Sequence, residues 1–287
     1  MQSIVIEEVL ERALSPNSVT PHSFLRWAGS KRFLLKHFID VLPPRFGTYR
    51  EPFLGSGALY FLLRPKKAVL SDTCRDLVET FEAVEDNVDA ILHYLAPLKP
   101  VKELYYNIRN NRSKKRHEYA AEFIYLNKTC WNGLYRVNAA GAFNVPFGRV
   151  KANPIVDADN LKACAAALAS SGTSLEVCDF EENLNDAKPG DLVYLDPPYV
   201  TGHNNNGFIA YNEVLFSWDD QVRLAKSAQK LAKKGVHVIV SNANHNEVIK
   251  LYPKFNVKHF DRNSTLASDV TKRRLISEVL LFSKAEV

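Results

Sequence analysis

The sequence predicts an α/β fold with a doubly wound, largely parallel sheet, and three observations carry that expectation. Short apolar runs bounded by turn residues recur toward both ends of the chain. They alternate with helical patterns, which places helices on both faces of a sheet. A middle segment breaks the alternation and reads as an insertion, after which the strand-like runs resume.

Taken in order, Ile4 to Leu14 is an amphipathic stretch carrying Glu7, Glu8 and Glu11, closed by the break at Ser15-Pro16-Asn17. Signal peptides are basic and then apolar, so this stretch is not expected to be one. Candidate strands follow at Tyr49 to Phe53, Ala68 to Ser71, Leu175 to Cys178, Asp191 to Leu195, Val236 to Ser241, Phe255 to Phe260 and Ile276 to Phe282. Ser217-Trp-Asp-Asp220 opens a helix with a hydroxyl cap and an acidic first turn, running to about Lys234 before Gly235. The inserted segment reads as a small helical module ending in an aromatic, Gly- and Asn-rich hairpin or loop, Trp131 to Gly148. The expected organisation is an N-terminal extension (1–20), a first part of the α/β domain (21–82), the insertion (83–154) and a second part (155–287).

Composition narrows the function. Of 287 residues, 46% are hydrophobic and 24% charged, as in ordinary soluble proteins, and no apolar run approaches a membrane span. The four cysteines, Cys74, Cys130, Cys164 and Cys178, include no Cys-x-x-Cys pair. That speaks against a zinc site or other metal centre and fits a reducing cytoplasm. A net charge of +5 is compatible with a polyanionic partner. Two clusters concentrate it, Arg109 to His117 and Lys272-Arg-Arg274, each of which is read equally well as a solvated surface.

The sharpest motif is Asp196-Pro197-Pro198-Tyr199, directly after the apolar run Leu192 to Leu195. Proline supplies no N–H, so the ladder stops there and a carboxylate, carbonyls and an aromatic ring are held together at the sheet's edge. That set suits an exocyclic amine on a flat heterocycle: Asp196 and the Pro197 carbonyl would accept its hydrogens, and Tyr199 would stack on the ring. The bland reading is a rigid turn. Glu51-Pro-Phe-Leu-Gly-Ser-Gly57 follows another strand, and its glycines allow close approach of a ligand. Tyr60 stands where the dinucleotide fingerprint needs a third glycine, which disfavours nicotinamide or flavin and leaves a plain turn open. Asp72 ends the next strand, where a carboxylate can take ribose hydroxyls or cap a helix. Phe24 to Lys31 joins aromatics, a glycine and a lysine, and by itself reads as the start of a surface helix.

Together, and in this order, these motifs resemble Dam-like DNA adenine methyltransferases of the D12 class. So do Tyr125 to Asn138, with Lys128 inside it, and Phe143-Asn-Val-Pro-Phe-Gly-Arg149 in the insertion. The resemblance spans Pro21 to Phe282 and implies a Rossmann-like methyltransferase sheet with an inserted target-recognition domain. It implies S-adenosylmethionine as cofactor, held by Trp27, Gly29, Lys31 and Asp72, with Glu51, Phe53, Gly55 and Gly57 lining its pocket. Asp179 and Phe180 would reach the cofactor's adenine, and Asp196 to Tyr199 would be catalytic. Double-stranded DNA would meet Arg26, Lys128, Trp131, Asn132, Leu134, Arg136, Pro146 and Arg149. Ser30, Thr73-Cys74 and Trp131 depart from the usual pattern without removing a catalytic group.

The expected activity is therefore methylation of adenine N6 in duplex DNA, within GATC or a GAT-containing site, by a cytoplasmic, nucleoid-associated enzyme. Nothing in the sequence demands more than a monomer. The rivals are an RNA or protein amino-group methyltransferase and a DNA-binding homologue that has lost catalysis. Asp rather than Asn before Pro-Pro-Tyr counts against the protein-modifying kind, the duplex-reading insertion against RNA, and intact motifs against an inactive form.

Overall fold

The computed structural model describes residues 4–5, 21–27, 38–148, 155–170, 172–199, 216–263 and 275–283. In chain order come β1 (Ile4–Val5), β2 (Arg45–Phe46), β3 (Tyr49–Glu51), α1 (Ala58–Leu63), β4 (Lys67–Asp72) and α2 (Arg75–Leu95). The middle holds α3 (Lys102–Asn110), α4 (Arg116–Thr129) and a 3-10 turn at Trp131–Gly133. The second part holds α5 (Ala158–Ser170), β5 (Gly172–Val177), α6 (Phe180–Leu184), β6 (Leu192–Leu195) and α7 (Trp218–Lys233). It closes with β7 (His237–Ala243), α8 (Asn246–Lys250), β8 (Asn256–Asn263) and β9 (Leu275–Phe282).

All seven strands expected from the sequence are present, in one sheet of order β5-β4-β3-β6-β7-β9-β8. The pairs among β5, β4, β3, β6 and β7 are parallel, while β9 runs antiparallel to both β7 and β8. Alternate residues supply two cores, as a doubly wound sheet requires. Leu192, Tyr194, Ile239 and Leu280 join the layer containing α2, α4 and α5. Val193, Leu195, Val238, Val240, Val279 and Leu281 join the layer containing α7.

Strand ends differ from the sequence reading for identifiable reasons. β3 stops at Glu51 because Pro52 cannot extend the ladder. β5 starts earlier, at Gly172, and β8 runs on to Asn263. Both are edge strands, where polar residues pair without being buried and no apolar run marks them. The Ile4–Val5 pairing with Arg45–Phe46 was not expected from the amphipathic stretch.

The cap at Ser217 is as the sequence predicts. Its Oγ accepts from the Asp220 N–H at 3.1 Å, and Asp220 accepts from the Ser217 N–H at 2.9 Å. α2 crosses the expected 82/83 division as one helix, kinked at Asn87 (φ −155°, ψ 68°). The Asn87 side chain accepts from the Ala90 N–H at 3.1 Å, capping the second half of the helix. Beyond α3, the inner helix α4 buries Phe123, Ile124, Tyr125 and Leu126 in succession. Its buried Glu122 is satisfied by the Tyr94 hydroxyl (2.8 Å), Arg112 Nε (3.0 Å) and the Ser113 N–H (2.8 Å). The hairpin then forms through bridges Cys130–Phe147 and Val137–Phe143.

Candidate active site

From β3 the chain moves outward through β4 to β5, then returns to place β6 on the other side of β3. The strand order thus reverses between β3 and β6, and open α/β sheets bind ligands beyond the carboxyl ends of strands at such a switch point. Glu51 ends β3, Asp72 ends β4, Asp179 follows β5, and Asp196 follows β6.

Asp196 is fixed from below. Ser241 Oγ, near the end of β7, donates to its Oδ1 at 2.6 Å, and the Tyr194 hydroxyl lies 3.0 Å from that same Ser241 oxygen. The next residues are held equally firmly. Gln221 Nε2 donates to the Pro198 carbonyl at 3.1 Å, and its own Oε1 accepts from Asn242 at 3.1 Å. The Tyr199 hydroxyl donates to Glu278 at 3.0 Å. Burial, then the nearby Asp196 and Glu278 charges, push the Tyr199 phenol well above its ordinary range, so it remains a donor.

Toward β4, Gly55 (φ 48°) brings bare backbone beneath Trp27: a Cβ there would lie 2.9 Å from the Trp27 Cδ1. Asp72 accepts from the Gly55 N–H (3.1 Å) and the Cys74 N–H (2.9 Å), so it ties the glycine turn to the bend that leads into α2. Burial raises its carboxyl above the ordinary value. Gly57 is also left-handed (φ 62°) and opens α1. Glu51 is almost wholly enclosed, accepting from the Tyr49 hydroxyl at 2.8 Å. Desolvation pushes it up to about 8, against that bond, with Asp196 adding a smaller upward push. Phe180 stacks on Phe53 (5.7 Å, 27°), with Phe216 edge-on to Phe53. Asp179 caps α6 through the Glu181 N–H and is gripped by both terminal nitrogens of Arg223, at 3.0 and 2.9 Å.

The hairpin residues are gathered together on the surface. Trp131 is 48% exposed, unusual for so large an apolar side chain, and Asn132 beside it takes a left-handed conformation (φ 55°). Exposed Arg136 is presented by Asn144 across the hairpin, with Nε 2.7 Å from its side-chain oxygen. Exposed Pro146 accepts from the Trp131 N–H, and Leu134 is half-buried. Arg26 is exposed and is seated by Asn127, which bonds its N–H (2.8 Å) and its carbonyl (2.6 Å). Gly133 is required there, because a Cβ would come 2.4 Å from Arg26 Cβ. Lys128 is half-buried, and its charge reaches Cys164 of α5. Gly29, Lys31, Arg149 and Lys272 to Arg274 lie outside the described residues.

The cluster Arg109 to His117 is largely architectural. Arg112 holds Glu122 and the Tyr119 carbonyl, Arg116 pairs with Glu82 and Asp86, and Lys115 pairs with Glu118. Among the described residues, no group of three or more His, Cys, Asp or Glu side chains could hold a metal, and no helix is long and apolar enough to cross a membrane.

Five residues at the site escaped the sequence reading: Ser241, Glu278, Gln221, Arg223 and Tyr135. Glu278 did leave a signal, a lone carboxylate inside the apolar run Ile276 to Phe282, since buried charge is rarely retained without a partner. Tyr135 joins the two halves of the site. Its ring stacks on Trp27 (5.5 Å, 22°) and its hydroxyl donates to Asp76 at 3.1 Å.

The chain is similar to known proteins over most of its length. Residues 27–266 match the family model of D12 class N6 adenine-specific DNA methyltransferases. The type II methyltransferase M.MjaIII of Methanocaldococcus jannaschii is 38% identical over 261 residues, covering 82% of this chain and 89% of that protein. The type II methyltransferase M1.LlaDCHI of Lactococcus lactis subsp. cremoris is 33% identical over 276 residues (93% and 97%). The DNA adenine methylase of Vibrio cholerae is 30% identical over 265 residues (90% and 94%).

Proposed function

Since the chain belongs to the D12 class of N6 adenine-specific DNA methyltransferases, we propose that it moves a methyl group from S-adenosylmethionine to N6 of an adenine swung out of duplex DNA. The observation that carries this reading is the Asp196-Pro-Pro-Tyr segment, fixed at the switch point by Ser241, Gln221 and Glu278.

The residues present fit the cofactor. Gly55 lets its turn pack directly against Trp27, which sets that indole beside the Asp72 turn, and Phe53 with Phe180 offers a flat apolar wall. Asp72 would hold the ribose hydroxyls. A carboxylate has about four acceptor positions, and the backbone bonds to Asp72 do not use all of them. When bound, S-adenosylmethionine supplies an electrophilic methyl group on a positively charged sulfur.

The chain's part is to prepare the amine. The N6 lone pair is delocalised into the adenine ring and is a poor nucleophile. Asp196 accepts one N–H and the Pro197 carbonyl the other, favouring a tetrahedral nitrogen with its lone pair directed at the methyl. Ser241 holds Asp196 for that task, Gln221 occupies the Pro198 carbonyl, and Tyr199 stacks on the base. Once the methyl is transferred, one N–H proton leaves through Asp196.

The hairpin reads the DNA. Trp131 is a wedge that fills the gap left by the adenine. Arg136 reads a guanine of GATC through O6 and N7 in the major groove. The test is transfer of labelled methyl groups to duplex DNA, single-stranded DNA and RNA, with Asp196→Ala alongside. Duplex DNA is expected to be labelled at adenine N6, and the variant to lose activity by orders of magnitude while still folding and binding DNA. Near-normal turnover by the variant, or label confined to RNA, would overturn the proposal.

A further inference from the structure

Glu278 sits in the middle of β9, opposite Ala243 of β7 and Phe260 of β8. It is fully buried, a costly place for a carboxyl group. Its Oε2 accepts the Tyr199 hydroxyl at 3.0 Å across 79 residues of sequence. That bond turns the phenol's polar end into the protein. A phenol ring tethered at its hydroxyl loses most of its rotational freedom and offers a ligand its face.

We propose that Glu278 is a positioning residue for methyl transfer: it sets the Tyr199 ring at the angle on which the flipped adenine stacks. This rests on the stacking role assigned to Tyr199 above. Without the tether the ring samples other rotamers, the adenine is held less well, and the amine drifts from the methyl. Misplacement of that kind lowers turnover more than affinity.

The test is a double-mutant cycle in the full chain. Glu278→Met removes the acceptor, Glu278→Gln keeps one, and Tyr199→Phe removes the donor. Glu278→Met and Tyr199→Phe are each expected to lower kcat by roughly ten- to a hundredfold. The combined variant should lose no more than either alone, and Glu278→Gln should keep most of the activity. Thermal melting of each variant checks that it is folded at the assay temperature. A duplex with 2-aminopurine at the target position reports stacking directly: its fluorescence in complex with enzyme and cofactor should rise in Glu278→Met and stay quenched in Glu278→Gln. If the combined variant regained activity, Glu278 would be a structural group only and the proposal would fall. Multiplicative losses in the cycle would overturn it too. Failure of the underlying reading looks different: Tyr199→Ala would then methylate adenine at the parental rate.

Discussion

Asp72 serves two masters, the backbone of the glycine turn and, in the proposed reaction, the cofactor's ribose. Asp72→Ala is therefore expected to weaken cofactor binding by about 1.5–3 kcal/mol, the ordinary worth of a charged hydrogen bond. An unchanged dissociation constant in calorimetric titration would remove Asp72 from the ribose. Glu51 makes a pH prediction. Its folded value is about 8 against an ordinary 4.5, so between those limits the folded chain keeps a proton that the unfolded chain has released. The stability that this neutral carboxyl contributes is fully present below the ordinary value and is lost as pH rises through about 8. The thermal midpoint should accordingly decline across that window, and Glu51→Gln, which cannot ionise, should flatten the decline. Melting curves of both proteins at several pH values decide it; parallel curves would show that Glu51 does not titrate there.

In the proposed function, specificity is assigned to the hairpin after α4. Its shape follows from close contacts: Gly148 lies where a Cβ would sit 2.5 Å from the Cys130 carbonyl, and Gly133 makes room for Arg26. Asn144 braces the Arg136 guanidinium, which would lower the entropy lost in the base contact proposed for it. Arg136→Ala should cost about 1–3 kcal/mol on GATC duplexes and relax discrimination at a single base pair. Binding and methylation on duplexes substituted at each position test this. A uniform loss over the whole panel would assign Arg136 to a phosphate instead.

Across the molecule, charge is distributed differently from what the basic runs of the sequence suggest. In the run from Arg109 to His117, Arg116 ties α4 to α2 through Glu82 and Asp86, Arg112 holds Glu122 of α4, and Lys115 pairs with Glu118 at the start of α4. DNA affinity should still fall steeply with salt, because any phosphate contacts release counterions. Arg116→Ala, however, should leave the slope of log affinity against log salt unchanged, since Arg116 is already paired within the protein. A reduced slope would return that cluster to the DNA surface. A duplex whose target adenine is mispaired should bind tighter than the matched one, because less pairing energy is lost on flipping; equal affinities would argue against flipping.

Much of this protein is written in local sequence. Apolar runs ended by Pro52 and by Pro197-Pro198 mark β3 and β6, and the Ser217-Asp220 capping box marks α7, because such signals act over a few residues. Asp72, Gly55 and Asp196 are legible for the same reason: each ends a strand or turns a loop at a place the local pattern announces. Edge strands β5 and β8 were only half legible, since pairing without burial leaves no apolar signature. What tertiary structure alone decided is who holds those residues. Ser241 reaches Asp196 across 45 residues, Glu278 reaches Tyr199 across 79, and Tyr135 reaches Asp76 across 59. A hydrogen bond depends on a separation near 3 Å in space and is blind to distance along the chain. The order in which the sheet arranges β6, β7 and β9 brings the first two pairs together, and the hairpin after α4 brings Tyr135 to the first turn of α2.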